Sequence, residues 1–161
     1  MPERRDERTT EGGLDVVAGE PQLARYVNEL KSAGIRVSLF IEPDLQAVAS
    51  AARLGADVVE LHTGSYCDAA LESASQRMRH ELGRLTAAAG AAHGAGLEVH
   101  AGHGLTFNTV AAVARIPEIV ELNIGHFLIG EAIFGGLHSA VRRMRVLMDE
   151  ARAPALGQKS A

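Results

Sequence analysis

Leu97-Glu-Val-His-Ala-Gly-His-Gly-Leu105 is a short strand that runs into a glycine loop. Leu97 and Val99 alternate with Glu98 and His100, the period-two pattern of a strand with one apolar and one ionisable face. The loop then sets His103 between Gly102 and Gly104. An imidazole gives or takes a proton near neutral pH, and flanking glycines remove the side chains that would keep a ligand's oxyanions from backbone N–H groups. Taken alone, the same residues describe a turn with a surface histidine, and the remaining chain has to decide between the two.

The pattern recurs on both sides. Ile35 to Ile41, Asp57 to His62 and Ile119 to Ile124 are β-rich runs, each separated from the next by a helical pattern. Val37, Leu39 and Ile41, Val59 and Leu61, Leu97 and Val99, and Val120, Leu122 and Ile124 fall on one face. Opposite them stand Ser38 and Glu42, Glu60 and His62, Glu98 and His100, and Glu121 and Asn123. No hairpin dipeptide joins the runs, so the strands are expected to be parallel and linked by helical crossovers. A doubly covered open sheet would be apolar on both faces, whereas a barrel interior that serves a site is polar on one. A half-exposed sheet facing water is the plainer alternative, but parallel sheets seldom leave a face open. The predicted class is α/β, of the TIM-type (β/α)8 barrel, here an incomplete barrel with about four parallel strands and their helices.

Between the strands, Pro21 to Gly34 reads as a helix carrying Leu23, Val27 and Leu30 on one face, and Pro43 opens another that stops at Gly55. Asp68 to about Gly94 is a long alanine-rich helical region with an expected break near Gly83 or Gly90. Asn108 is placed to cap a short helix with Val110, Val113 and Ala114, which must end before Pro117. Ile133, Leu137, Val141, Met144 and Met148 mark one face of a closing helix. The division is residues 1–20 as a mobile covering loop, 21–152 as the body, and 153–161 as a disordered tail.

Composition narrows the function. With 47% hydrophobic and 22% charged residues, the 161-residue chain is ordinary for one globular domain. A net charge of −4 and 4% aromatics disfavour nucleic-acid binding, whether by a basic footprint or by a stacking platform. No apolar run reaches the roughly 18 residues of a membrane span, and the charged start does not resemble a signal peptide. A single cysteine, Cys67, excludes an intramolecular disulfide framework and reads as structural, so a cytoplasmic setting is expected.

Three strands end in a histidine next to glycine: Glu60-Leu-His-Thr-Gly64, Gly102-His-Gly104 and Gly125-His126. In parallel α/β folds such ends share one face, where ligands bind. Each histidine alone is more often a satisfied hydrogen-bonding residue, but three at equivalent ends are hard to assign to packing. The last two sit where barrels commonly build a phosphate site from loop amides, so a phosphorylated substrate is expected. Glu60 would stabilise a developing cation or orient a histidine, or serve as a structural ion pair. A metal held by Glu60, His62, His103 and His126 is the competing use, unsupported by any HxH or HExxH spacing. There is no GxSxG, and the only lysines, Lys31 and Lys159, are not at strand ends.

These motifs, in order, resemble those of pyridoxine 5′-phosphate synthases. The residues that carry the likeness are Thr9-Thr-Glu-Gly-Gly-Leu-Asp15, Gly34-Ile-Arg-Val-Ser-Leu-Phe-Ile-Glu42, Glu60-Leu-His-Thr-Gly64, Ala101-Gly-His-Gly-Leu-Thr106 and Glu121-Leu-Asn-Ile-Gly-His126. The resemblance covers about residues 2–152. It implies a (β/α)8 barrel that condenses 1-deoxy-D-xylulose 5-phosphate with 3-amino-2-oxopropyl phosphate to pyridoxine 5′-phosphate, phosphate and water. It implies no metal or organic cofactor, and an octamer for the full-length protein. By the same resemblance His103 is the general acid and Glu60 supports the transition state. Gly104, Gly125 and His126 hold substrate phosphate, and Thr9 contacts substrate from the covering loop.

The departures from the family pattern carry expectations of their own. His100 stands where an asparagine is usual, and Glu131 replaces an arginine. The family's first three strands have no counterpart here, nor do their Asp-His substrate site, basic histidine and glutamate base. Met1 is therefore expected to be a misassigned start inside a longer gene. The alternative function is a truncated, non-catalytic half-barrel that at most binds phosphate.

Overall fold

Matching apolar rows bring the strands together. The structure, a computed structural model, describes residues 12–153. Its elements alternate: α1 (Glu20–Ser32), β1 (Ser38–Ile41), α2 (Leu45–Leu54), β2 (Val58–His62), α3 (Gly64–Leu71), α4 (Ser75–Gly94), β3 (Glu98–Gly102), α5 (Val110–Ala114), β4 (Ile119–Asn123), α6 (His126–Gly135) and α7 (Leu137–Arg152). The four strands form one sheet in the order β1-β2-β3-β4, and every neighbouring pair is parallel. The α/β class and the parallel, helix-linked strands are as expected.

Leu39, Val59, Val99 and Ile119 lie in one register row, and Ile41, Leu61, Ala101 and Leu122 in the next. Seven of these eight are buried, and Leu122 packs against them. Val48 and Ala51 of α2, and Leu85, Ala88 and Ala92 of α4, close the same core. Before α1 the chain is laid along β1: the Leu14 N–H donates to the Phe40 carbonyl at 2.8 Å, and Val16 is buried. Among the described residues no helix is long and apolar enough to cross a membrane.

Several expected boundaries move. The helical region after Asp68 does not break at Gly83 or Gly90; both lie inside α4, where an added Cβ would meet nothing within 4 Å. The helix runs through them unbroken, and Leu85, Ala88, Ala89 and Ala92 are buried along it. The break falls between α3 and α4 at Ser73, which leaves the helical region at φ 55°. The closing helix is also two helices, because Gly136 at φ 78°, ψ 147° cannot continue α6 into α7. Ile133, Leu137 and Val141 of the expected stripe are all exposed, Ile133 at 78%, and Met144 is the one stripe residue that is buried. Asn108 is not the cap of α5: Thr109 takes that position, and its Oγ1 accepts the Thr106 N–H at 2.8 Å. Val120 does not share the apolar face. Val99 pairs with Ile119 and His100 with Glu121, so Val120 is the extra residue of a bulge and is exposed.

α2 begins one residue after a true cap. The extended Asp44 accepts the N–H groups of Gln46 and Ala47 through its carboxylate at 2.8 and 3.1 Å. Asp44→Ala is expected to cost about 1 kcal/mol of unfolding free energy, measured by urea denaturation.

Candidate active site

The same register that buries the apolar rows stacks the ionisable ones. Phe40, Glu60, His100 and Glu121 lie side by side, and His62, Gly102 and Asn123 form the row above them. Just past β3 and β4 the chain passes into His103-Gly104 and Ile124-Gly125. A cavity of about 460 Å3 opens there, and Glu60, His103, Gly104, Gly125 and His126 all line it, with Phe40, Asn123 and Phe127 among the other walls. Of the six residues expected at the site, the structure brings these five together. Thr9 lies outside the described residues.

Glu60 is held from β4: its Oε2 accepts from Asn123 Nδ2 at 3.0 Å. Burial pushes its carboxyl above the usual carboxylate range, although the Asn123 hydrogen bond pulls the other way. A raised folded-state pKa means that stability from this group is full below the ordinary carboxylate pKa and is lost as pH rises through the raised value. Glu60→Gln keeps an oxygen acceptor for Asn123 and removes the titration. The variant is therefore expected to gain stability relative to the parent on going from pH about 4 to about 8, read by urea unfolding at both.

The glycines around His103 have different jobs. A Cβ on Gly102 would sit 2.4 Å from Glu60 Oε1 and 2.7 Å from the Asn123 carbonyl, so this glycine makes room for the glutamate rather than for a ligand. Gly104 adopts φ 78°, and a Cβ there would press on the Cys67 side chain at 3.2 Å. His103 itself holds φ 80°, a conformation that costs a non-glycine residue energy and persists only where neighbours enforce it. Thr63 is one such neighbour. It is fully buried, and its Oγ1 donates to the carbonyls of Gly102 and His103.

Gly125 and His126 begin α6, so the cavity's far wall is the N-terminus of a ten-residue helix with backbone N–H groups free of side-chain capping. Phe127 is braced edge-on by Phe107, with ring centroids 4.8 Å apart, and the Arg143 guanidinium of α7 lies 4.1 Å over the Phe107 ring. Sequence reasoning did not single out Asn123, Phe40 or Phe127 as site residues. Asn123 had a signal in its place on the ionisable face, whereas the two phenylalanines belong to none of the patterns that marked the site.

The other candidates separate. His100 does not line the cavity. Its Nε2 lies 2.8 Å from Glu98 Oε1 and its Nδ1 3.4 Å from Glu121 Oε1, so it sits between two glutamates on the ionisable face. Lys31 binds Asp57 and the Gly55 carbonyl at the opposite end of the sheet. Cys67 is buried, and burial raises its thiol above the ordinary range, which fits the structural reading. Among the described residues no three His, Cys, Asp or Glu side chains group closely enough to hold a metal ion, so Glu60, His62, His103 and His126 do not form such a centre.

Fold and site together define an α/β protein whose acid–base side chains and loop amides gather at the carboxyl ends of parallel strands, the position where such folds bind ligands. Residues 1–150 match the family model described as Pyridoxal phosphate biosynthesis protein PdxJ, and the chain belongs to that family. It is 58% identical over 153 residues to pyridoxine 5′-phosphate synthase of Ruegeria pomeroyi, covering 95% of this chain and 62% of the relative. To the synthase of Rhodospirillum rubrum it is 60% identical over 151 residues, 94% of this chain and 59% of the relative. To that of Xanthobacter autotrophicus it is 56% identical over 161 residues, 100% and 62%. The chain thus spans about 60% of the length of these curated relatives.

Proposed function

We propose that this chain carries the proton-donor and phosphate-binding side of a pyridoxine 5′-phosphate synthase site. The observation that carries the reading is the convergence of Glu60, His103, Gly104, Gly125 and His126 on one cavity at the strand ends. In this reading the four parallel strands are an arc of a (β/α)8 barrel, with the ionisable rows facing its interior. Substrate phosphate sits on the backbone N–H groups at Gly104 and Gly125 and beside His126, where the α6 dipole favours an anion. His103, at the cavity wall, protonates the departing group. Glu60 offsets positive charge that develops on the condensing amine, and Asn123 fixes its carboxylate for that role.

The partners are phosphorylated small molecules, 1-deoxy-D-xylulose 5-phosphate and 3-amino-2-oxopropyl phosphate, in the cytoplasm, with no added cofactor. Assembly into a homo-oligomer is supported by α6, which buries none of its residues and leaves Phe134 92% exposed. Incubating the 161-residue chain with both substrates tests the function directly. Formation of pyridoxine 5′-phosphate and inorganic phosphate in equal amounts would support the synthase reading. Phosphate binding by the folded chain without turnover would support the non-catalytic alternative instead.

A further inference from the structure

Next to the cavity lies a pair of residues that the proposed chemistry does not use. Glu42, just past β1, accepts from His62 Nδ1 through its Oε1 at 2.7 Å, and this contact is the main reason its carboxyl is held below the usual range. The same oxygen receives the Gly13 N–H at 3.4 Å. With Nδ1 committed to the carboxylate, the other nitrogen, Nε2, is buried and has no hydrogen-bond partner among the described residues. It rests over Gly64, where a Cβ would lie 2.7 Å from it and 3.5 Å from His103 Cδ2. A buried nitrogen left unsatisfied carries a desolvation cost that packing alone would remove, since an apolar ring would fill the same space.

The imidazole is set against His103. The two ring centroids are 4.9 Å apart at 51°, and the Phe40 ring closes the group at 5.1 Å from His62 and 6.4 Å from His103. The His103 backbone is held by Thr63, and the His62 and Phe40 rings pack against its side chain. We propose that Glu42 and His62 are a positioning pair for His103: the carboxylate locks the His62 ring by its Nδ1–H, and the locked ring holds the His103 imidazole toward the cavity. The role assigned to His103 in proton transfer rests on the synthase reading; the geometry of the pair does not.

The test uses the 161-residue chain labelled at histidine, without ligand, at pH about 8.5, above the ordinary histidine range. Long-range 1H–15N spectra are expected to show His62 protonated at Nδ1, and ring protons of His62 and His103 to share an NOE. In Glu42→Ala the His103 ring resonances should broaden or double. The NOE should fall by roughly threefold, as one added ångström on the 4.9 Å separation requires under inverse-sixth-power decay. Glu42→Gln keeps an oxygen acceptor and should restore most of that intensity, a rescue that loss of packing would not give. Should Glu42→Ala not fold, His62→Phe, which retains a ring but cannot be anchored, should produce the same doubling at His103. Protonation of His62 at Nε2 in the parent chain, or an unchanged His103 ring in a natively folded Glu42→Ala or His62→Phe, would overturn the proposal. None of these signals depends on turnover, so a failed synthase assay leaves this result readable.

Discussion

Exchange of His103 for asparagine is expected to lower turnover to pyridoxine 5′-phosphate by about 10²–10⁴, the usual contribution of a positioned general acid. Asparagine is among the residues that best tolerate the positive φ at this position, so the loop should keep its shape. What it lacks is a transferable proton in the neutral pH range. In the proposed site, substrate phosphate rests on the amides of Gly104 and Gly125 and beside His126, none of which the substitution alters, so the loss should fall on kcat and leave KM within a few-fold. Steady-state kinetics, with urea unfolding as the control for folding, measures both. Retention of most of the activity in the folded variant would remove His103 from the proton-donor role.

Gly102→Ala should be the most damaging small substitution on the sheet. The new methyl would lie 2.4 Å from Glu60 Oε1, 2.7 Å from the Asn123 carbonyl and 3.0 Å from Asn123 Cβ. The glutamate can swing aside, but the Asn123 carbonyl is β4 backbone, in register with Gly102 itself. Relief therefore requires the β3–β4 pair to spread, and forcing an extra carbon into such a site typically costs about 1–3 kcal/mol. Displaced Glu60 would also lose its Asn123 hydrogen bond. The expected outcome is a urea midpoint lowered to match, together with turnover reduced beyond what the stability loss explains. An alanine variant of parental stability and activity would show that nothing needs the space over Gly102.

Much of this arrangement is legible from local patterns. The alternation along Val37 to Ile41, Asp57 to His62 and Leu97 to His100 predicts both the parallel sheet and its ionisable face, because strand side chains alternate whatever they pack against. The glycine–histidine pairs at the strand ends likewise announce a site, since loops at one end of parallel strands must converge. What local patterns miss depends on partners distant in sequence. Gly102 reads as a phosphate-loop glycine, whereas its clearance is for Glu60 and Asn123 on the two neighbouring strands. The bulge at Val120 follows from how β4 meets β3, so an alternating run alone puts Val120 on the wrong face. The pairing of His62 with Glu42 joins two strand ends 20 residues apart. The split at Gly136 was obscured because Ile133 and Leu137 keep helical spacing across it, and only the backbone conformation of the glycine reveals two helices.

A titration of the 15N-labelled chain with pyridoxine 5′-phosphate, followed through its backbone amides, tests the central claim most directly. The phosphate site is predicted to show as saturable shifts of the Gly104, Gly125 and His126 amides, with the His103 resonances moving along the same binding curve. Saturable shifts confined to residues away from this cavity, or no shift at these four residues in the folded chain, would contradict it.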